Sequence, residues 1–331
     1  MEPGALSPVN HRRAHPANSG YLRLHVTLGP LLVTGANGHL GQRLLQHLSG
    51  QTPRPELHAA VRSERAAAVL AELPAGAQPK THLVDYLDGA AIEAAATGCR
   101  AVVHLVGILK ESSNSRYEDA HEGTTKVLAE AAARAGVQRI VYLSILGSRP
   151  DSPNACLASK GRGEQILLDG PAPATVLRVP MVLGPGEIAA HALRGRASAP
   201  ITFAIGGGRS LEQPIDGEDL VRAVTSALAN ESGESQALDL AGPESLPSRE
   251  LVARAARLLG TSPRTVPIPV GLVRFAAACF ERFSSDPPLT RAMLGVLEHD
   301  DAIDPGPACR ALGIELTPLD VSLRRALEIS E

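Results

Sequence analysis

The chain has 331 residues, a net charge of −3 and 44% hydrophobic residues, but only 2% aromatic residues and no tryptophan. This length suits one large domain or a core with a smaller lobe, and the core must be built from Ala, Val, Leu and Ile. Because there is no basic surplus, the composition argues against a nucleic-acid partner. No apolar run approaches the roughly 18 residues of a membrane span.

The four cysteines, Cys99, Cys156, Cys279 and Cys309, are scattered and form no CxxC pair. This spacing predicts reduced thiols, and hence a cytoplasmic location, rather than disulfides or a metal site. Residues 1–26 lack the apolar segment of a secretory signal. We expect a disordered lead-in there, or an extension from a start codon placed too early, with a targeting role as the weaker alternative.

The stretch 31–48, LLVTGANGHLGQRLLQHL, predicts a strand, a glycine turn and a helix. An apolar run ends at Thr34, three glycines follow at three-residue steps, and leucines then recur at helical spacing. This order suits the pyrophosphate of a dinucleotide. Gly35 permits the tight turn, Gly38 lets the backbone approach the phosphates, and Gly41 lets the helix pack close to its strand.

The N-terminus of this helix completes the predicted cradle. Its first N–H groups have no partner within the helix, and the helix dipole makes this end positive. We therefore expect the pyrophosphate to face Asn37, His39 and Leu40 as well as the three glycines. A plain strand–helix turn is the alternative, which the flanking strand and helix disfavour.

Strand and helix patterns alternate along the chain up to Pro180. The predicted strands are the run ending at Thr34, Leu57–Val61, His82–Val84, Ala101–Val106, Arg139–Leu143 and Ala174–Val179. Helices are predicted from Ser63 to Leu73 and over Ala90–Ala96, Tyr117–Ala135 and Leu157–Leu168. The alternation predicts an α/β fold with a doubly wound parallel sheet, the Rossmann fold.

Beyond Pro180 this alternation breaks. Helices are predicted over Glu218–Leu228, Ser248–Leu259, Leu272–Phe283 and Leu289–Leu297, with a short strand near Ala237–Leu240. We expect a dinucleotide-binding core over 27–183 and a smaller C-terminal substrate lobe over 184–331, partly interwoven with the core. This lobe is expected to cover the carboxyl edge of the sheet, where ligands bind.

Arg62 stands at the end of the second predicted strand, where the adenosine ribose lies in this architecture. An acid there accepts from the ribose of NAD, whereas an arginine accommodates the 2′-phosphate of NADP. Since no acid ends this strand, we predict a preference for NADP(H), with NAD(H) as the other ligand. A solvated arginine at a helix start is the alternative. Asp85, after the third strand, is expected near the adenine or as a turn residue.

Several segments together resemble short-chain dehydrogenases/reductases of the extended or atypical type, the NAD-dependent epimerase/dehydratase family. These segments are TGANGHLG (34–41), VDYLD (84–88), HLVG (104–107), HEGTTKVLAEAAARAGVQRIVYLS (121–144), SKGRGE (159–164), RVPMVLGPG (178–186), PIDGEDLVRAV (214–224), LAGPESLPSRELV (240–252) and LGI (312–314). They cover most of 31–327. The chain is most similar to the subgroup that includes the reductase-like accessory subunit of respiratory complex I.

The resemblance implies catalytic and cofactor residues. The family uses a Ser, a Tyr and a Lys, the last two spaced YxxxK, so that Lys lowers the pKa of Tyr and Tyr transfers the proton. Ser144 and Lys160 match the Ser and the Lys, and Lys160 is also expected to bind the nicotinamide ribose. The other cofactor contacts that the resemblance implies are Tyr86, Leu105, Val106, Gly107, Pro180 and Val182.

Cys156 stands four residues before Lys160, where the family has Tyr. A thiol is shorter than a phenol by a whole ring, so it misses the hydrogen-bond reach of about 2.6–3.2 Å that proton transfer requires. No other tyrosine is well placed in the sequence, since Tyr142 lies inside a strand. Cys156 is either a packed small residue, the favoured interpretation, or a thiolate activated by Lys160.

Three further features have structural interpretations first. His104 ends a strand, and His121 stands where many extended members carry Asn; both are expected to be structural. The segment Leu272–Phe283, LVRFAAACFERF, is amphipathic and is expected to face the core. Contact with a partner protein or a membrane surface is the alternative for this helix.

Two functions are open at this point. The first is a nucleotide-binding protein without the family's Tyr, which uses NADP(H) as a structural or sensing ligand in a respiratory or quinone-related assembly. The second is an active oxidoreductase or epimerase/dehydratase that uses Ser144 and Lys160 on an unidentified small substrate, with either Cys156 or a water relay in place of the Tyr ring.

Overall fold

A computed structural model describes residues 28–230, 232–284 and 286–329, and the lead-in predicted over 1–26 lies outside the described residues. The elements up to residue 183 are β1 (Leu31–Thr34), α1 (His39–Ser49), β2 (Leu57–Val61), α2 (Glu64–Ala71), β3 (Lys80–Leu83), α3 (Gly89–Ala96), β4 (Ala101–His104), a π-helix (Glu118–Gly123), α4 (Thr124–Arg134), β5 (Arg139–Ile145), α5 (Ala155–Leu168), β6 (Ala174–Val179) and β7 (Val182–Leu183).

The remaining elements lie between Ile188 and Ala326. They are α6 (Ile188–Ser198), β8 (Ile201–Ile205), β9 (Leu211–Glu212), β10 (Ile215–Asp216), α7 (Gly217–Ala229), β11 (Gln236–Asp239), β12 (Leu246–Pro247), α8 (Ser248–Leu258), β13 (Arg264–Ile268), α9 (Val270–Phe283), α10 (Arg291–Leu297), α11 (Gly306–Leu312) and α12 (Leu319–Ala326). The sequence did not predict the parallel pair β8–β13, because both strands are short and half-exposed.

Seven parallel strands form the central sheet in the order β11-β6-β5-β4-β1-β2-β3. The order reverses between β1 and β4, since β2 and β3 extend the sheet on one side and β4, β5 and β6 on the other. Such a reversal opens a crevice at the carboxyl ends of the strands, where ligands bind. The predicted doubly wound parallel sheet is confirmed.

Strand β11 lies at one edge of this sheet although it comes from the second half of the chain. It pairs in parallel with β6, with Gln236 beside Thr175. The strand predicted near Ala237–Leu240 therefore exists, and residues beyond 183 complete the central sheet.

Helices cover both faces of the sheet. On one face, α1 and α7 pack Leu45 and Leu220 against Leu31 of β1. On the other face, α3 and α4 pack against Leu32 and enclose Leu128. Because neighbouring strand residues point to opposite faces, β1 contributes to both layers and is buried throughout.

The helix predicted over Tyr117–Ala135 is divided in the structure, which corrects that prediction. Its first part, Glu118–Gly123, is a π-helix, and the α-helix begins at Thr124. The wider turn holds His121, whose Nε2 accepts a hydrogen bond from the backbone N–H of Ile108 at 3.1 Å. This contact joins the π-helix to the loop after β4, and such turns often occur at functional sites.

Candidate functional site

The predicted site residues gather at the carboxyl edge of the sheet. In strand order this edge carries Asp85 after β3, Arg62 after β2, Gly35 after β1, Leu105, Val106 and Gly107 after β4, Ser144 near the end of β5, and Pro180 and Val182 after β6. We call the part around Arg62 and Asp85 the Arg62 end. The part around Ser144, Cys156 and Lys160 is called the Lys160 end.

Two of the three glycines of the motif, Gly35 and Gly41, have no room for a side chain. Gly35 has a φ of +71°, and a Cβ there would lie 3.2 Å from the carbonyl carbon of Leu105. A Cβ on Gly41 would lie 2.5 Å from the carbonyl oxygen of Ala36. The turn therefore packs closely against both the end of β4 and the start of α1, as the motif predicts.

The N-terminus of α1 is open at this point. Gly38 is its N-cap, no described side chain caps it, and the first turn has no acidic residue. Asn37, Gly38 and His39 are exposed. By contrast, α2 is capped by Ser63, whose Oγ accepts from the N–H of Ala66 at 3.2 Å. Uncapped N–H groups beside the crevice fit an anionic pyrophosphate.

Tyr86, predicted as a cofactor contact, uses its hydroxyl to hold the turn. The hydroxyl donates to the carbonyl oxygen of Ala60 at 2.7 Å and accepts from the N–H of Gly35 at 2.9 Å. It therefore links the ends of β1 and β2. Burial raises the pKa of Tyr86, so the hydroxyl keeps its proton at neutral pH.

A cavity of about 220 Å³ lies at the Arg62 end. Its lining includes the predicted residues Arg62, Asp85, Tyr86, Val106 and Gly107. The guanidinium carbon of Arg62 lies 5.9 Å from the centre of the Tyr86 ring, which orients an otherwise exposed side chain. Asp85 accepts the N–H of Leu87 through Oδ1 at 3.0 Å, so it forms a turn as well as lining the cavity.

Lys160 extends from α5 to the carboxyl ends of β4 and β5. Its Nζ lies 3.0 Å from the carbonyl oxygen of Leu143 and 3.4 Å from that of Val106, and it contacts the hydroxyl of Tyr142 at 3.1 Å. Burial lowers the pKa of Lys160 to about 8. A Cβ on Gly107 would lie 3.0 Å from Nζ, so Gly107 borders both ends of the site.

Tyr142, which the sequence analysis places inside a strand, is the side chain that contacts Lys160. Tyr142 and Ser144 lie two residues apart on β5 and so face the same side of the sheet. Tyr142 is completely buried below Ser144, and burial raises its pKa. Its hydroxyl therefore acts as a fixed partner of Lys160 and is not open to a ligand. The period of two in the strand is the signal that could have found it.

Cys156 is sealed. Its side chain has no exposed surface, and Sγ lies 3.7 Å from the carbonyl oxygen of Ile108. Burial raises the pKa of the thiol to about 11, against the opposing charge of Lys160. Helix α10 covers the start of α5, where Asn154 Nδ2 donates to the carbonyl oxygen of Ala292 at 2.8 Å. Cys156 is therefore a protonated, packed thiol.

Three buried polar atoms at the Lys160 end have no hydrogen-bond partner among the described residues. They are Ser144 Oγ, His104 Nε2 and His121 Nδ1. Burial lowers the pKa of both histidines to about 3, so both are neutral at pH 7. An unpartnered buried group costs about 1–3 kcal/mol, which makes these atoms available to a bound ligand or water. Together with the open cradle, they fit a dinucleotide.

The segment after β6 is tied to the glycine helix by Arg43, which the sequence did not single out. Its Nη2 donates to the carbonyl oxygen of Pro185 at 2.9 Å, and its guanidinium faces Glu187 and Glu218. Val182, predicted near the nicotinamide, pairs with Ile215 in the short sheet β7–β10. These contacts hold the segment beyond Pro180 against the N-terminal half of the site.

A larger cavity, about 350 Å³, lies at the opposite edge of the sheet. Its lining includes Leu31, Ala101 and Arg139, which begin β1, β4 and β5. None of the predicted site residues lines it, so its volume has no bearing on the dinucleotide site.

Comparisons with known proteins agree with this geometry. A family model described as NAD(P)H-binding matches residues 35–186. The chain is 26% identical to NADH dehydrogenase [ubiquinone] 1 alpha subcomplex subunit 9, mitochondrial, of Arabidopsis thaliana, over 74% of this chain and 62% of that protein. The chain therefore contains an NAD(P)H-binding domain and is similar to atypical short-chain dehydrogenases/reductases. The predicted resemblance is confirmed.

Two further relatives are similar to the chain, and their names differ from one another. One is the 40 kDa subunit of NADH-ubiquinone oxidoreductase of Neurospora crassa, 25% identical over 67% of this chain and 58% of that protein. The other is ceramide reductase of Caulobacter vibrioides, 24% identical over 78% of this chain and 79% of that protein. The chain thus spans about three fifths of the length of the two mitochondrial relatives.

Solved structures share the fold. A nucleoside-diphosphate-sugar epimerase from Pseudomonas aeruginosa has a TM-score of 0.67 at 21% identity, covering 91% of this chain and 97% of that one. UDP-glucuronic acid 4-epimerase from Bacillus cereus, with UDP-glucuronic acid and NAD, has a TM-score of 0.69 at 16% identity, covering 90% and 98%.

Two further findings concern membrane-spanning helices and metal-binding groups. Within 28–230, 232–284 and 286–329, no helix is long and apolar enough to cross a membrane. The same part of the chain has no group of three or more His, Cys, Asp or Glu side chains placed to hold a metal ion.

Proposed function

We propose that this protein binds NADP(H) and keeps it as a structural or sensing ligand, without the proton transfer that the family's Tyr performs. The observation that carries the proposal is the contrast within one site. The cradle of Gly35, Gly38 and the first turn of α1 is open, whereas Cys156 is completely buried at the position of that Tyr.

The chemistry of the buried groups supports the loss of turnover. A thiol with a pKa of about 11 that contacts the Ile108 carbonyl offers no path to a substrate. Lys160 is engaged by Tyr142 and two carbonyl oxygens, one layer below the surface of the site. When bound, the dinucleotide would supply hydride chemistry, and the family's Tyr, which would transfer the accompanying proton, is replaced by Cys156.

Arg62 supports NADP(H) over NAD(H). Arg62 is exposed at the carboxyl end of β2, and its guanidinium lies over the Tyr86 ring. A guanidinium can bind a phosphate through two parallel hydrogen bonds. The only carboxylate among the predicted residues of this end, Asp85, is already used in a turn.

We further propose that the protein works within a respiratory or quinone-related assembly. The names of the two mitochondrial relatives, both subunits of NADH–ubiquinone oxidoreductases, support this. A ligand that stabilises a fold without reacting is also the kind of role that an accessory subunit could use.

The test is equilibrium binding to the full chain. NADPH should raise the melting temperature, remain bound through dialysis, and bind at least about tenfold tighter than NADH. NADH binding that equals or exceeds NADPH binding would contradict the preference, and rapid loss of NADPH on dialysis would contradict the structural role.

A second candidate is an active reductase or epimerase on a small substrate. It is favoured by Lys160, whose pKa of about 8 is poised near neutrality, and by the unpartnered hydroxyl of Ser144. The relative named ceramide reductase supports a reduction. For this candidate, Ser144→Ala should lower turnover at least about tenfold while NADPH still raises the melting temperature.

A further inference from the structure

All four phenylalanines of the chain are exposed. Phe203, Phe275, Phe280 and Phe283 have exposed fractions of 58%, 69%, 44% and 87%. Phenylalanine is among the side chains most often buried, yet here the core contains none. All four lie in the second half of the chain, on β8 and α9.

Helix α9 presents a complete apolar stripe to the outside. Leu272, Phe275 and Phe283 recur at helical spacing and are the most exposed apolar side chains on it. Ala277, on the opposite side, is its one buried residue. The helix is thus amphipathic as predicted, but its broad apolar face points away from the core, which corrects the expectation of a core-facing helix.

Strand β8 adds apolar side chains beside the start of this helix. Ile201 and Phe203 alternate with buried neighbours and are 51% and 58% exposed. The N–H of Gly206, after β8, donates to the carbonyl oxygen of Ile268 at 2.9 Å. Since β13 ends at Ile268 and α9 begins at Val270, the end of β8 abuts the start of α9.

The charge around this face is positive, unlike the chain as a whole. Residues 264–298 contain four arginines and three acidic residues, a surplus of +1 in a chain of net charge −3. All three acids are paired, Glu281 with Arg291 at 2.7 Å, Glu298 with Arg274 at 3.1 Å and Asp286 with Lys110 at 2.8 Å. The exposed Arg264 and Arg282 form no ion pair with a described residue and border the apolar face.

We propose that α9 and the outer side of β8 dock onto a membrane surface rich in anionic lipid. The apolar stripe would enter the boundary between headgroups and acyl chains, and the arginines would meet the lipid phosphates. An α9 of 14 residues, roughly 21 Å long, lies in this boundary without crossing it.

The charge favours lipid over a second copy of the chain. A two-fold contact would place two copies of this positively charged face against each other, and like charges repel. An anionic headgroup instead neutralises them. The docking face lies outside the dinucleotide site, so the proposal stands independently of what that site binds.

The test is flotation of the full chain with lipid vesicles. We expect binding to phosphatidylcholine vesicles that contain about 30% phosphatidylserine, at least about tenfold weaker binding to pure phosphatidylcholine, and weakening by salt. Phe275→Ser combined with Phe283→Ser should weaken binding at least about tenfold. Leu83→Ser, which removes a 53% exposed leucine on the edge strand β3, should leave it unchanged.

Thermal melting and NADPH binding of each variant, compared with the unmodified chain, confirm that the fold and the dinucleotide site are intact. Absence of vesicle binding, or binding that the double substitution leaves unchanged, would overturn the proposal. A dimer detected by light scattering that the same double substitution abolishes would assign the face to a second copy instead.

Discussion

The two ends of the site differ in access to solvent. At the Arg62 end, Arg62 and Asp85 are exposed and line an open cavity. At the Lys160 end, Ser144, Cys156 and Lys160 have exposed fractions of 2%, 0% and 5%. One crevice therefore combines an open surface for binding with a closed region where family members perform chemistry.

This difference shows that binding and chemistry depend on separate groups. The cradle consists mainly of backbone, so it needs glycines and a helix N-terminus but no reactive side chain. Proton transfer depends on a few atoms at hydrogen-bond distance. Loss of one phenol can therefore remove the chemistry and leave the cradle unchanged.

The largest expected effect comes from filling the cradle. Gly41→Val should abolish NADPH binding, a loss of more than about 100-fold, because even its Cβ would lie 2.5 Å from a backbone oxygen. Calorimetric titration measures it. Gly76→Ala is the control, since nothing lies within 4 Å of a Cβ there. Normal NADPH affinity in Gly41→Val would contradict the assignment of the cradle.

The reactivity of the Cys156 thiol tests whether the Lys160 end is closed to solvent. Iodoacetamide at about pH 8 should alkylate Cys156 at least about 100-fold more slowly than the partly exposed Cys279, because Cys156 is buried and its pKa is about 11. Peptide mass spectrometry of the native protein measures both rates. Equal rates would mean that the Lys160 end opens in solution.

Removal of the charge of Arg62 tests whether the Arg62 end selects the 2′-phosphate of NADPH. Arg62→Gln should weaken NADPH binding by roughly 10- to 100-fold and change NADH binding little, because only NADPH carries the 2′-phosphate. Arg54→Gln, before the other end of β2, is the matched control. An equal loss for both dinucleotides would show that Arg62 does not select the phosphate.

The smallest expected effect is a loss of folding stability at acid pH, caused by the buried His104 and His121. The pKa values of His104 and His121 are about 3 in the fold and about 6.5 in the unfolded chain. Their contribution to the free energy of unfolding is therefore fully present above pH 6.5 and decreases as the pH falls toward 3. The slope is up to about 1.4 kcal/mol per pH unit for each histidine. His121→Asn should reduce this slope in urea unfolding between about pH 7 and about pH 5. An unchanged slope would show that His121 is not the group that titrates.

The sequence predicted the parts of the molecule that are local. The turn from Gly35 to Gly41 and the strands before Pro180 depend on spacing within a few residues, and the structure contains them. The contact between Lys160 and Tyr142 could not be predicted with the same certainty, because two long side chains from different elements meet there.

Other features depend on the whole fold. The amphipathic pattern of α9 is the same whether its apolar face meets the core or the outside, so only the packing shows that its phenylalanines are exposed. The π-helix before Thr124 likewise depends on a loop that lies more than ten residues earlier. The role of Arg43 as a tie to Pro185 required the arrangement of the second half of the chain.

The central claim, that this site holds a dinucleotide without turning it over, is tested most directly by one measurement. The near-ultraviolet absorbance of bound NADPH is followed over hours while the full chain is mixed with a panel of aldehydes, ketones and nucleotide sugars. We expect constant absorbance, equal to that of the Lys160→Met variant. Steady oxidation of NADPH that the Lys160→Met substitution abolishes would contradict it.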